Sequence, residues 1–205
     1  MDIKLNFINN SNDLNNSRIV IFQKNVADGV PETAVAWKVI KTCGPGENHP
    51  FVFPTTMQVS SNDSYGNYTP QIDAYPGDLF AVLQAGSGNR IHHEGRATAP
   101  TEVHVRNSLV KGAIGVNIHK AHRLLATKVP IGKGQRAVFQ FAPTLWIGPV
   151  SQVREGQVMN AAIVSSINTE LSLFGIASAD IVMTGGGIGA NAEPLVFTLE
   201  NIVTA

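Results

Sequence analysis

Leu5-Asn6-Phe7-Ile8-Asn9, Val103-His104-Val105-Arg106-Asn107 and Phe197-Thr198-Leu199-Glu200-Asn201 each carry an apolar–polar–apolar core that runs on to an asparagine. Alternation of this kind puts one set of side chains on each face of a strand. The asparagines stand 98 and 94 residues apart, close to the length of a small β-sandwich domain. The spacing predicts an internal duplication.

Features between these anchors recur in order. Ile19-Val20-Ile21-Phe22-Gln23-Lys24 answers Gly115-Val116-Asn117-Ile118-His119-Lys120. Phe51-Val52-Phe53-Pro54-Thr55 answers Phe139-Gln140-Phe141-Ala142-Pro143-Thr144, and Pro76-Gly77-Asp78 answers Glu155-Gly156-Gln157. Turn clusters such as Gly44-Pro45-Gly46, Gly86-Ser87-Gly88-Asn89 and Gly132-Lys133-Gly134 punctuate short runs rich in β-branched and aromatic residues. The expected fold is all-β: two tandem, internally duplicated antiparallel sandwiches, residues 1–101 and 102–205. The trailing strand at Asn201 hints that strands are shared between them. Val158 to Phe174 mixes helical and alternating spacing and is assigned to strand. Trp37 and Trp146 are expected to pack the cores of their respective units.

Composition narrows the function classes. The 205 residues are 43% apolar and 15% charged, with 15 basic and 15 acidic side chains. That excludes a disordered chain and a globally basic nucleic-acid binder. A single cysteine, Cys43, excludes an intrachain disulfide framework. The opening residues lack the apolar core of a signal peptide. The default expectation is therefore a cytoplasmic protein, with export by a leaderless route as the alternative. No run is long enough for a membrane-spanning helix.

Charge is sorted along the chain. Val103 to Arg154 holds eight Lys or Arg and no acid, Glu155 to Ala205 holds five acids and no base, and the first 102 residues hold ten acids and seven bases. Such asymmetry points to a complementary interface or an anionic ligand. Lys111, Lys120, His122, Arg123, Lys128, Lys133 and Arg136 form the candidate partner surface. The leading expectation is a non-enzymatic protein that forms a homo-oligomer by basic surface meeting acidic surface. A glycan-binding or anionic-membrane-binding module, lectin-like or toxin-like, is the first rival. The segment carries no nucleic-acid motif, and its aromatics fall on a core-facing run, which argues against a nucleic-acid partner.

Two smaller constellations carry chemistry. Tyr65, Asn67 and Tyr68 lie in an Asn-, Asp- and Ser-rich turn, a pattern suited to sugar stacking and hydroxyl hydrogen bonding. A hairpin of residues 90–95 with 102–107 would set His92, Glu94 and His104 on one face. Two histidines and a carboxylate suit iron or zinc, so a metal-dependent enzyme is the second rival. No other cofactor is implied. Thr184 to Asn191 is Gly-rich without the Lys-Ser/Thr ending of a phosphate loop, and a long β-loop is expected there.

Overall fold

The computed structural model describes residues 2–27 and 34–205. The strands are, in order, β1 (Ile3–Asn9), β2 (Arg18–Phe22), β3 (Ala34–Val35), β4 (Lys38–Ile40), β5 (Asn48–Phe53), β6 (Met57–Asn62), β7 (Ile72–Ala74), β8 (Asp78–Ala85) and β9 (Gly88–Arg96). They continue with β10 (Val103–Asn107), β11 (Ile114–Lys120), β12 (Arg123–Ile131), β13 (Arg136–Phe139), β14 (Thr144–Val150) and β15 (Val158–Met159). A short helix α1 (Ala161–Ser166) precedes β16 (Thr169–Ser172), β17 (Ile176–Gly186) and β18 (Glu193–Thr204). The all-β class holds. Among the described residues no helix is long and apolar enough to cross a membrane.

The compact units do not divide at residue 101. Unit 1 is Met1–Gln23, Glu32–Thr55 and Pro143–Ala205, while unit 2 is Lys24–Pro31 and Thr56–Ala142. Unit 1 has sheets ordered β18-β17-β1-β5 and β16-β14-β2-β4, with the small pair β15-β3 beside them. Unit 2 has sheets ordered β9-β8-β10-β13 and β12-β11-β6-β7.

These orders superimpose once the chain is cut into halves. β1, β2, β4 and β5 take the places of β10, β11, β12 and β13, and β14, β16, β17 and β18 take those of β6, β7, β8 and β9. The duplication read from the sequence is therefore present in the topology. Each unit, however, joins the leading half of one repeat to the trailing half of the other.

Matching hydrogen bonds fix the equivalence. Asn9 N–H donates to Glu47 O at 3.0 Å, and Asn107 N–H to Gln135 O at 2.9 Å. Gly46 N–H donates to Asn9 O, and Gly134 N–H to Asn107 O. The Gly44 amide meets the Glu47 side chain at 2.7 Å, as the Gly132 amide meets that of Gln135. Gly46 (φ 84°) and Gly134 (φ 77°) take the left-handed backbone that these turns require. The asparagine side chains are clamps: Asn9 Nδ2 donates to Cys43 O at 2.7 Å, and Asn107 Nδ2 to Ile131 O at 2.9 Å. Their Oδ1 atoms accept the Ser11 and Leu109 amides.

Three sequence expectations are corrected. The partner of Pro76-Gly77-Asp78 is Phe174-Gly175-Ile176, because Asp78 N–H donates to Tyr75 O as Ile176 N–H does to Leu173 O. Phe197–Asn201 lies in β18, whose counterpart is β9, so it is no third copy of the β1 motif. Residues 158–174 are not one strand: Asn160 caps α1 by accepting the Ile163 amide at 3.0 Å. The alternating Leu171 and Leu173 belong to the chain that follows.

The helix explains a second pattern. β2 is buried on both faces, so its apolar run is continuous rather than alternating. Its Val20 and Phe22 pack with Met159, Val164 and Ile167, which α1 and its flanks supply. Trp37 is fully buried and packs edge-on to Phe53 at 5.2 Å, while Trp146 stacks on Phe22. Both tryptophans belong to unit 1.

Replacing a clamp leaves buried backbone groups without partners, which costs about 1–3 kcal/mol for each. Asn9→Ala is expected to destabilise unit 1 by about 3 kcal/mol, read as an earlier denaturation midpoint by tryptophan fluorescence. An unchanged midpoint would contradict the clamp.

Candidate interaction surface

The basic segment folds as a hairpin. Ala121 and His122 take positive φ (49° and 60°), the geometry of a two-residue turn between twisted strands. His122 Nδ1 lies 3.0 Å from Gln71 Oε1. Lys120 is withdrawn, only 6% exposed, so it does not join the candidate partner surface. Arg123 and Lys128 are half-buried along β12, and Lys128 Nζ sits 5.5 Å from the Phe139 ring centroid. Lys111, Lys133 and Arg136 are exposed. Lys111 precedes Gly112, whose carbonyl Asn107 holds, and Lys133 lies in the turn that the same asparagine anchors. One clamp thus gathers Lys111, Lys133 and Arg136.

Unit 2 carries ten Lys or Arg against six Asp or Glu, a net of +4, while unit 1 carries five against nine, a net of −4. Part of the acid in unit 2 is neutralised inside it. Asp78 pairs with Arg96 (3.2 Å) and His93 (3.3 Å), Glu94 with Arg106, and Glu102 with His104 (2.6 Å). In unit 1, Glu170 on β16 and Glu193 and Glu200 on β18 are exposed. β16 and β18 are edge strands that lie against each other, so these carboxylates share one side of the unit.

The proposed metal constellation is dispersed. β8 lies between β9 and β10, so residues 90–95 and 102–107 form no hairpin. Glu94 is taken by Arg106, and His104, 4% exposed, by Glu102. Among the described residues no group of three His, Cys, Asp or Glu side chains could hold a metal ion. The Gly-rich stretch is a loop only in its second part, where residues 187–192 connect β17 to β18 through a single 3-10 turn, Gly189–Asn191. Before it, β17 runs through Gly186, which bridges to Asn12, and a Cβ on Gly185 would sit 2.1 Å from Pro194 O. These glycines permit close backbone approach.

The tyrosine turn is exposed and ordered. Asp63 Oδ1 accepts the Tyr65 and Asn67 amides at 2.9 Å, and Asp63 Oδ2 accepts the Asn67 side chain. The Asn67 side chain first, then these backbone donors, hold the Asp63 carboxyl below its usual range. Tyr65 is 88% and Tyr68 68% exposed.

Two side chains whose surroundings sequence does not show, His119 and Cys43, and one cleft remain. His119 Nε2 meets Ser60 Oγ at 2.9 Å in the interior, and among the described residues no acid meets its Nδ1 to complete a triad. Burial, then the neighbouring His122, pushes its pKa down. Cys43 is buried, and burial followed by Glu47 pushes its thiol up, away from nucleophilic use. A cleft of about 430 Å³ on unit 1 is bordered by Lys4, Asn6, Pro50, Val52, Asp180 and Asn201. Asn6 and Asn201 donate to the two oxygens of Asp180 at 3.2 and 2.7 Å. No spacing rule could find it, since Asn6 and Asp180 are 174 residues apart.

The chain matches no protein-family model, and neither the curated proteins nor the solved structures give a match to it.

A histidine held neutral by burial costs stability once the unfolded chain can take up its proton. The His119 contribution is complete above the ordinary pKa of about 6.5 and is lost as pH falls below it. Thermal unfolding should show a midpoint that drops between pH 7 and 5, and His119→Gln should flatten that slope. An identical slope in the variant would rule out His119 as its source.

Proposed function

We propose that this is a non-enzymatic binding protein that self-associates head to tail, the basic surface of unit 2 on one copy meeting the acidic surface of unit 1 on another. The supporting observation is the sorting of charge by compact unit, +4 against −4, in a chain of zero net charge. On the basic side the contact draws on Lys111, Arg123, Lys128, Lys133 and Arg136. On the acidic side it draws on Glu170, Glu193 and Glu200. Opposed charge of this kind steers encounter and fixes orientation more than it deepens affinity. Because the two surfaces differ, the contact is heterologous and repeats until a ring closes or a filament grows.

Exposed charges are screened over about 8 Å at physiological salt. Sedimentation at low salt should therefore give species heavier than one chain, returning to a single chain as salt rises to about 0.5 M. Lys133→Glu with Arg136→Glu should abolish assembly, as should Glu193→Lys with Glu200→Lys. Each variant keeps one intact surface, so mixing the two should yield capped pairs and nothing larger. A wild-type chain that stays single at low salt would overturn the reading.

A second reading has its own support. Tyr65 and Tyr68 stand out on a turn that Asp63 pins, so a sugar ring could stack there without ordering the loop first. Glycan-array binding that is lost in Tyr65→Ala and Tyr68→Ala, with the unfolding midpoint unchanged, is the expected outcome. Binding indifferent to both tyrosines would remove it. Co-sedimentation with anionic vesicles alone would favour the membrane surface instead.

A further inference from the structure

Each compact unit borrows its trailing half from the other repeat, and the connectors show why. Pro54, Thr55 and Thr56 link β5 to β6, and Gln140 to Pro143 link β13 to β14. In a closed repeat, the chain leaving β5 would have to reach the β14 place in its own sandwich. That place lies two strands in from the β4 edge of the opposite sheet. β12 and β13, the counterparts of β4 and β5, adjoin. The path therefore crosses two strand spacings and the gap between sheets, roughly 14 Å in all. A three-residue connector stretched to its limit covers roughly the same distance. Closure of the first repeat leaves no slack, and the four-residue β13–β14 connector has only one residue more, whereas an extended connector carries the chain onward into the other unit. Pro54 and Pro143 favour that extended course.

Short connectors of this kind are hinges for exchange. Residues 143–205 join the rest of the chain only through Gln140–Pro143, yet they supply β14, β16, β17 and β18 to unit 1. Their seat is defined by backbone pairing. β17 runs parallel to β1 from Lys4↔Ser178 to Asn9↔Met183, and β14 runs antiparallel to β2 from Trp146↔Phe22 to Val150↔Arg18. A second copy of this chain offers the same segment with the same contacts. Only effective concentration separates the two donors.

We infer that residues 143–205 exchange between copies, so that unit 1 of one chain is completed by the tail of another. Unit 2 is built from Lys24–Pro31 and Thr56–Ala142 and needs no part of that tail. Reciprocal exchange gives a dimer, and one-way exchange gives an open chain of copies. The exchanged contacts are hydrogen-bonded strands and apolar core, so they persist in high salt. This mode of association stands apart from the charged surfaces proposed above.

The test uses the full chain. Lys4 and Ser178 are register neighbours on the outward face of the β1–β17 pair, where strand spacing suits a disulfide. One preparation carries Lys4→Cys and the other Ser178→Cys. The buried Cys43 does not compete. The two are refolded together at increasing protein concentration and oxidised in about 1 M salt, which silences surface ion pairs. The expected result is a covalent dimer of one chain of each kind, its yield rising at least several-fold with refolding concentration. A chain with both cysteines, refolded dilute, should close the link within itself. Where it does not, Asn6→Cys with Asp180→Cys, the next half-exposed pair in the same register, carries the same comparison. No mixed dimer at any concentration, beside an efficient internal link, would overturn the exchange. Loss of low-salt oligomers in the wild type would strike only the charge-guided reading.

Discussion

Two parallel strand contacts hold the halves of this chain together. β1 lies beside β17 and β10 beside β8, and at both places a leading half meets a trailing one. The Asn10 amide donates to Met183 O at 2.9 Å, and the Ser108 amide donates to Val82 O at the same distance. Parallel neighbours cannot be joined by a tight hairpin and always require a long connection. For β1 and β17 the connection contains all of unit 2. The antiparallel contacts β2–β14 and β11–β6 close the other sheet of each unit in the same way. Everything else, including which loops share a side and which charges share a surface, follows from these four contacts.

The sequence carried the strands and the duplication because both leave local marks. Alternation marks β1 and β10, and the turns Gly44–Glu47 and Gly132–Gln135 recur at matched places. The partition into units was illegible, since it depends on which trailing half each leading half accepts. Two sets of near-equivalent strands read identically under either choice. The same ambiguity underlies the expected metal site. A hairpin between β9 and β10 is the natural reading of neighbouring strands, and the insertion of β8 between them separated His92 from His104. The α1 segment failed for a different reason: Ile163 and Ile167 at helical spacing run into the alternation of Leu171 and Leu173. The tyrosine turn, by contrast, needs only residues 61–69 to organise itself and was readable in place.

Charge shows how chain order and spatial order differ. The acid-free run from Val103 to Arg154 suggested a strongly basic face, yet most of it shares a unit with residues 56–102. Asp78, Glu94 and Glu102 from that preceding stretch pair with Arg96, Arg106 and His104. Local cancellation is therefore real. It is incomplete, and Arg90, Lys111, Lys133 and Arg136 remain exposed around a smaller surplus. Like charges even oppose one another across β10 and β13, at Arg106 and Arg136, where Glu94 supplies the offsetting carboxylate.

The division of the units also sets an order of events during synthesis. On a ribosome, all of unit 2 is in hand once Ala142 has emerged, and its sheets can close. The unit 1 part of residues 1–55 is made before unit 2, and there β1 can pair with β5 and β2 with β4, but both must wait for residues 143–205 before β17 and β14 cover their other edges. Until then, two apolar strand edges lie open on a nascent chain. On a polysome the nearest waiting tail can belong to the adjacent molecule.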